Sequence, residues 1–198
     1  MKKPIALILG VLMLDQALKF WIKSNMIIGE EIRLFDWFII HFIENNGMAF
    51  GMEFGGNWGK LGLSLFRIVF VVFMASFLLK LIRKNADKVL IVSLSLVLAG
   101  AIGNIIDGTL YGILFSESYR QLATFLPEAG GYAPMFFGKV VDMFYFPIYK
   151  GYLPEWIPFW GGDYFLFFRP VFNIADSAIS IGVAIMVIFQ KKVMKELE

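Results

Sequence analysis

The sequence predicts an all-α polytopic membrane protein: four transmembrane helices carrying a small extracytoplasmic cap with short β-strands. Two observations lead there. Hydrophobic residues make up 59% of the 198 residues, beyond the roughly 45–50% of a soluble domain, and the mean hydropathy is +0.71. The apolar residues also gather into four stretches, about Pro4–Trp21, Leu61–Ile82, Val89–Gly112 and Phe172–Gln190. Each comes near the roughly 20 residues that a bilayer span requires. At this length the whole chain, 1–198, reads as one membrane-embedded domain.

The first stretch opens like a signal peptide, with Lys2 and Lys3 before an apolar run. Asp15 interrupts that run and no small-x-small cleavage site follows, so it reads as an uncleaved anchor. Basic residues fall at the N-terminus, in the second connection (Arg83, Lys84, Lys88) and at the C-terminus (Lys191, Lys192, Lys195). The positive-inside rule then places both termini in the cytoplasm and turns residues 24–60 and 113–171 outward.

Within the first outward segment, Ile32-Arg33-Leu34 and Ile39-Ile40-His41-Phe42-Ile43 alternate enough to predict short strands. Between Phe144 and Phe168 the second is dense in aromatic residues and broken by Pro147, Pro154 and Pro158. The prolines argue against a fifth continuous helix. The rings suit either a cap lying in the headgroup region or the collapsed core of an outer subdomain.

Composition excludes several kinds of chemistry. A net charge of +2 with no basic stripe gives no footprint for nucleic acid. The absence of cysteine removes disulfides, thiolate nucleophiles and Cys-ligated metals, and His41, the single histidine, excludes a His-rich metal site. No metal or organic cofactor is expected.

The polar residues of the spans carry the functional signal, because a charge at a membrane-helix centre costs about 2.5–3.5 kcal/mol on insertion scales. Asp15 and Lys19 lie four residues apart on one face of the first span. Asn104 and Asp107 are three apart near the outer end of the third, and Asn173, Asp176, Ser177 and Ser180 sit at the outer end of the fourth. Similar depth on three helices predicts one polar pocket open outward.

Each member alone has an ordinary reading. Asp15–Lys19 suits an intramembrane ion pair, Asn104 and Asp107 suit polar helix–helix contacts, Asp176 suits a helix start, and Asp142 suits a loop acid. Two converging carboxylates, by contrast, are the raw material of an aspartyl hydrolase, since one can hold a proton while the other stays ionised. A small transporter or lipid-binding scaffold is the alternative. Against it, no polar path crosses the inner half of the spans and no inverted repeat is visible.

Five collinear elements resemble the bacterial lipoprotein signal peptidases, also called type II signal peptidases. They are Asp15-Gln16-Ala17-Leu18-Lys19, Asn45-Asn46-Gly47-Met48-Ala49-Phe50-Gly51, Gly100-Ala101-Ile102-Gly103-Asn104-Ile105-Ile106-Asp107, Val140-Val141-Asp142, and Phe172-Asn173-Ile174-Ala175-Asp176-Ser177-Ala178-Ile179. Two features depart from the family pattern. Gly108 stands where an arginine usually closes the third element, with Lys139 a conceivable substitute, and the stretches flanking Asp142 look longer.

The resemblance implies an aspartyl endopeptidase of the bacterial cytoplasmic (inner) membrane, its active site facing outward. It would remove signal peptides from prolipoproteins that carry diacylglycerol on the cysteine after the scissile bond. Asp142 and Asp176 take the catalytic roles, supported by Asp15, Lys19, Asn45, Asn104 and Asn173. The Asn104 and Asn173 amides suit a developing oxyanion, and residues 45–54 and 113–139 suit a cap that closes over the substrate. The expected partners are prolipoproteins and membrane lipids, with the enzyme a monomer.

Overall fold

The computed structural model describes residues 2–47, 56–167 and 169–197. Apolar run length decides the long elements. Helix α1 runs Lys2–Asn25, α2 Gly56–Arg83 and α3 Lys88–Ile106, the last continued by a π-helical turn at Asp107–Tyr111 and a short α4 at Gly112–Leu114. Asp87 starts α3 by accepting the Val89 N–H at 2.7 Å.

Three helices, Lys2–Asn25, Trp58–Arg83 and Lys88–Leu114, are long and apolar enough to cross a membrane. The fourth is shorter than the sequence suggests. Helix α5 spans Ile174–Ile188, after which the chain bends by 85° into α6, Gln190–Leu197. At 1.5 Å per residue, α5 covers only about 22 Å, so it reaches span length only together with its bent continuation. In α6, Val193 packs on the α2–α3 core while Lys191, Lys192 and Lys195 supply charge, the pattern of a helix lying along an interface.

The all-α expectation needs correction, because a sheet larger than two short strands builds the site. Strands β1 (Glu31–Phe35), β2 (Phe38–Asn45), β3 (Val140–Tyr145) and β6 (Val171–Phe172) form an antiparallel sheet in the order β1-β2-β3-β6. Alternation along β3 divides its residues between two environments. Val141 and Met143 enter a core with Ile22, Met26, Phe42, Tyr111 and Phe115, whereas Val140 and Asp142 line a cavity.

Strands β4 (Tyr149–Tyr152) and β5 (Tyr164–Phe167) pair separately as a hairpin. Its tip leaves Trp156 80% and Phe159 96% exposed. The tip is not packed into a core, whereas Phe144 and Phe146 at the start of the segment pack against Phe38 and Phe172.

Among the described residues of the outward segment 113–139, none lines the cavity. The segment's apolar side chains find a core instead, with Phe115 and Ala123 buried beside α1. Backbone bonds fix it there. The Ala123 N–H donates to the Lys23 carbonyl at 3.1 Å, and the Phe136 and Gly138 N–H groups donate to Thr109 and Gly108 carbonyls freed by the π turn, at 3.1 and 2.9 Å. Of the other half of the expected cap, 45–54, residues 45–47 line the cavity and 48–54 lie outside the described residues.

Behind β2, Lys23 is fully buried and donates to Glu44 Oε1 at 2.5 Å and Ser118 Oγ at 2.8 Å. Burial pushes the Glu44 carboxyl up, but Lys23 and Lys139 together hold it below its ordinary value. Glu44→Ala strands a buried ammonium and is expected to cost about 3–5 kcal/mol. Thermal unfolding in detergent measures this, and Lys23→Met added to Glu44→Ala should recover part of the loss, as coupled partners do.

Candidate active site

Close helix packing creates the site. Helix α5 crosses α3 at Gly103, where a Cβ would stand 2.8 Å from Asp15 Oδ2 and 3.2 Å from the Ala175 Cβ. Small residues of this kind let membrane helices approach. Asp15 then reaches the start of α5, and its Oδ1 accepts the Ala175 N–H at 2.9 Å.

Asn173 caps α5 in a reciprocal box: its Oδ1 accepts the Asp176 N–H at 2.8 Å, and its own N–H donates to Asp176 Oδ2 at 3.3 Å. The same side chain holds the second acid, donating from Nδ2 to Asp142 Oδ1 at 2.7 Å. One asparagine thus ties Asp142 on β3 to Asp176 on α5. Sheet geometry adds Asn45, diagonal to Asp142 across the β2–β3 pairing, whose Nδ2 donates to Asp142 Oδ2 at 3.4 Å.

Beneath this pair lies a fully buried ionic group. The Lys19 ammonium stands 2.9 Å from Asp15 Oδ2 and 2.7 Å from Asp107 Oδ2. It also donates to Asn104 Oδ1 at 3.1 Å, which turns the Asn104 amide so that Nδ2 donates to Asp176 Oδ1 at 2.8 Å. An ammonium has donors only, so it fixes which end of the amide faces it. Gln16 and the Val141 N–H complete Asp107, at 2.9 and 3.2 Å.

Of the residues singled out in the sequence, Asn45, Asn104, Asp142 and Asp176 line one cavity of about 820 Å³, together with Arg67, Arg169, Phe172, Ile179 and Ser180. Asp15 and Lys19 lie behind its wall. Asn173 is fully buried, and its amide N–H groups point at Asn104, Val141 and Asp142. It has no donor left for an oxyanion, so it positions the acids; Asn104 alone of the two amides borders the cavity. Lys139 pairs with Glu44 and Glu117 at 3.2 and 3.8 Å and does not line the cavity, so it does not stand in for an arginine at 108.

Sequence reasoning passed over Arg67, although it is the single charge between Lys60 and Lys80 in a span. In the sequence Gln16 is visible only within a motif, and Asp107 as either a member of the expected polar pocket or a polar helix contact. Burial, and then the charge of Asp176, push the Asp142 carboxyl up to about 7.

A small sheet over membrane-length helices, with two carboxylates in a cavity at the helix ends, defines a membrane-embedded enzyme of the aspartic type. The family described as Signal peptidase (SPase) II matches residues 7–191, and the chain belongs to that family of aspartic endopeptidases. It is 52% identical over 184 residues to a lipoprotein signal peptidase of Porphyromonas gingivalis, covering 92% of this chain and 80% of that one. A lipoprotein signal peptidase of Amoebophilus asiaticus is 38% identical over 182 residues, covering 88% and 72%. Two solved bacterial membrane enzymes share the fold. Their TM-scores are 0.63 and 0.60 at 24% and 25% identity, with coverage of 100% and 95% of this chain and 93% and 92% of theirs.

Proposed function

We propose that this signal peptidase cleaves prolipoproteins just before a cysteine that carries diacylglycerol, with Asp142 and Asp176 as its catalytic pair. The observation that carries the reading is their placement: two acids on different elements, joined through Asn173, border one cavity. One carboxylate takes a proton from a water molecule as it attacks the scissile carbonyl. The other, protonated, donates to that carbonyl oxygen; as the intermediate collapses it takes a proton back from the hydroxyl, and the first, now protonated, gives its proton to the leaving amine. Asn104 and Asn45 on the cavity wall suit the extended peptide backbone, since an amide both donates and accepts.

The membrane delivers this substrate in two dimensions, and the basic residues at the opposite ends of the helices favour an outward-facing site with both termini in the cytoplasm. One chain supplies both acids, so a monomer suffices. The exposed aromatic hairpin of β4 and β5 suits the outer headgroup layer, where it would flank the lipidated cysteine.

The direct test is cleavage of a diacylglyceryl-modified prolipoprotein by the purified protein in detergent. Product ending just before the lipidated cysteine supports the reading, and no cleavage across several lipobox substrates contradicts it.

The pH profile is a second expectation. The Asp142 carboxyl, raised to about 7, is protonated below that pH and ionised above it. A mechanism that needs one protonated acid therefore loses kcat/KM as pH rises through about 7. The charged groups facing Asp142 are Asp176 from α5, Lys19 from α1, and Arg67 and Arg169 across the cavity. A profile level through that region would remove Asp142 as the proton donor.

A further inference from the structure

The cavity has a cation that the catalytic scheme leaves unused. Arg67 lies eleven residues into α2, about 16 Å along the axis at 1.5 Å per residue, with uncharged residues from Leu61 to Leu79 on either side of it. A guanidinium at such a depth faces a cavity or a partner rather than lipid. Arg67 does so: it is half-buried and borders the space between the two acids.

Two connections lead from it. On one side the charge of Asp176 acts on the guanidinium. On the other, Arg67 Nη2 donates to the Gly47 carbonyl, and the approach is close enough that a Cβ on residue 47 would stand 2.7 Å from Nη1. Gly47, at φ +86°, in turn donates its N–H to Asn45 Oδ1 at 3.0 Å. With its oxygen so engaged, Asn45 presents Nδ2 to Asp142 Oδ2. One arginine from the helix that supplies neither acid therefore reaches Asp176 through charge and Asp142 through Gly47 and Asn45.

We propose that Arg67 is a positioning residue that sets the asymmetry of the acid pair, holding the negative charge on Asp176 and leaving the shared proton on Asp142. The inference rests on the catalytic assignment above. A guanidinium stays charged at any working pH, and two carboxylates in one cavity share one proton, so a cation on which one of them acts biases where the charge resides. Two of the neighbouring charges are already engaged. Lys19 is held by Asp15 and Asp107, and Glu44 by Lys23 and Lys139. Arg169 lines the same cavity on the chain leading into β6.

The test compares kcat/KM against pH for the wild type, Arg67→Gln and Arg67→Lys, using a diacylglyceryl-modified prolipoprotein, with Asp176→Asn alongside. Loss of the cation makes the pair harder to ionise. Arg67→Gln is therefore expected to move the acidic limb up by about one pH unit and to lower kcat more than it raises KM, while Arg67→Lys keeps the wild-type limb. If Arg67→Gln does not fold, the lysine variant decides: a folded Arg67→Lys with a displaced limb or no activity overturns the proposal. So does a glutamine variant equally weakened at every pH with its limb unmoved, which would make Arg67 a tether for Gly47 alone. Turnover by Asp176→Asn would instead overturn the catalytic assignment, and this inference with it.

Discussion

Asn in place of either Asp142 or Asp176 is expected to remove cleavage while the protein stays folded and membrane-inserted. A positioned acid or base contributes about 10²–10⁴-fold, and each carboxylate here acts in both the attack and the departure of the leaving group, so a loss at the upper end of that range is expected. Folding survives because the exchange is nearly isosteric. At 142 the Asn carbonyl oxygen still accepts from Asn173 Nδ2, and its new amide group meets Asn45 Nδ2 across a contact already 3.4 Å long.

At 176 the change is harsher. Both carboxylate oxygens accept, from Asn104 Nδ2 and from the Asn173 N–H, so one donor loses its acceptor at about 1–3 kcal/mol. Asn173 Oδ1 still caps the helix by accepting the residue 176 N–H. Cleavage assays beside thermal unfolding curves separate the two effects. The expected pattern is two inactive proteins, with Asp176→Asn melting at the lower temperature. Sustained turnover by either variant would remove the pair as the catalytic centre.

What the sequence made legible was what lipid makes expensive. Carboxylates and amides at one depth in apolar helices had to meet, and Asp15, Lys19, Asn104, Asn173 and Asp176 do form one connected network. Strands β1 and β2 were readable from their residue types, Ile32-Arg33-Leu34 and Ile39-Ile40-His41-Phe42-Ile43, although β1 is exposed along its whole length. Strand β3 was not, since Val140-Val141-Asp142-Met143 is buried on both faces and carries no alternation. The β4–β5 hairpin was hidden by its prolines, which signal only that a helix is absent.

The path of 113–139 was invisible for another reason. Phe115 and Ala123 look like cap residues until Ile22, Met26 and Phe42 are known to face them. Lys23 drew no reading, because nothing near it in sequence announces Glu44 twenty-one residues away. Arg67 was in plain view, a lone charge in a span, and needed only the cost argument already applied to Asp15.

Replacing Lys19 with Met is expected to produce the largest loss of stability of any single substitution in the chain. The ammonium is fully buried and serves two acids that are themselves fully buried, Asp15 and Asp107. Removing one partner of a single buried pair costs about 3–5 kcal/mol; here one change strands two carboxylates beside each other, against a total folding stability of about 5–15 kcal/mol. The remaining donors, the Ala175 N–H and Gln16 Nε2 to Asp15 and Gln16 Nε2 with the Val141 N–H to Asp107, hold oxygens but supply no charge.

Lys19→Met should therefore fail to accumulate in membranes, whereas Asp107→Asn, which leaves Lys19 paired with Asp15, should accumulate and melt at a lower temperature. The triple variant Lys19→Met, Asp15→Asn, Asp107→Asn removes all three charges together and is expected to recover folded protein. Cleavage should not return with it. Without the ammonium the Asn104 oxygen keeps only the Asn173 Nδ2 donor at 3.1 Å, itself shared with Val141 and Asp142, so the amide is held less firmly toward Asp176. Folded but inactive triple variant, judged by thermal unfolding and the cleavage assay, would make Lys19 the residue that aims Asn104; recovery of fold and activity together would confine it to holding the helices.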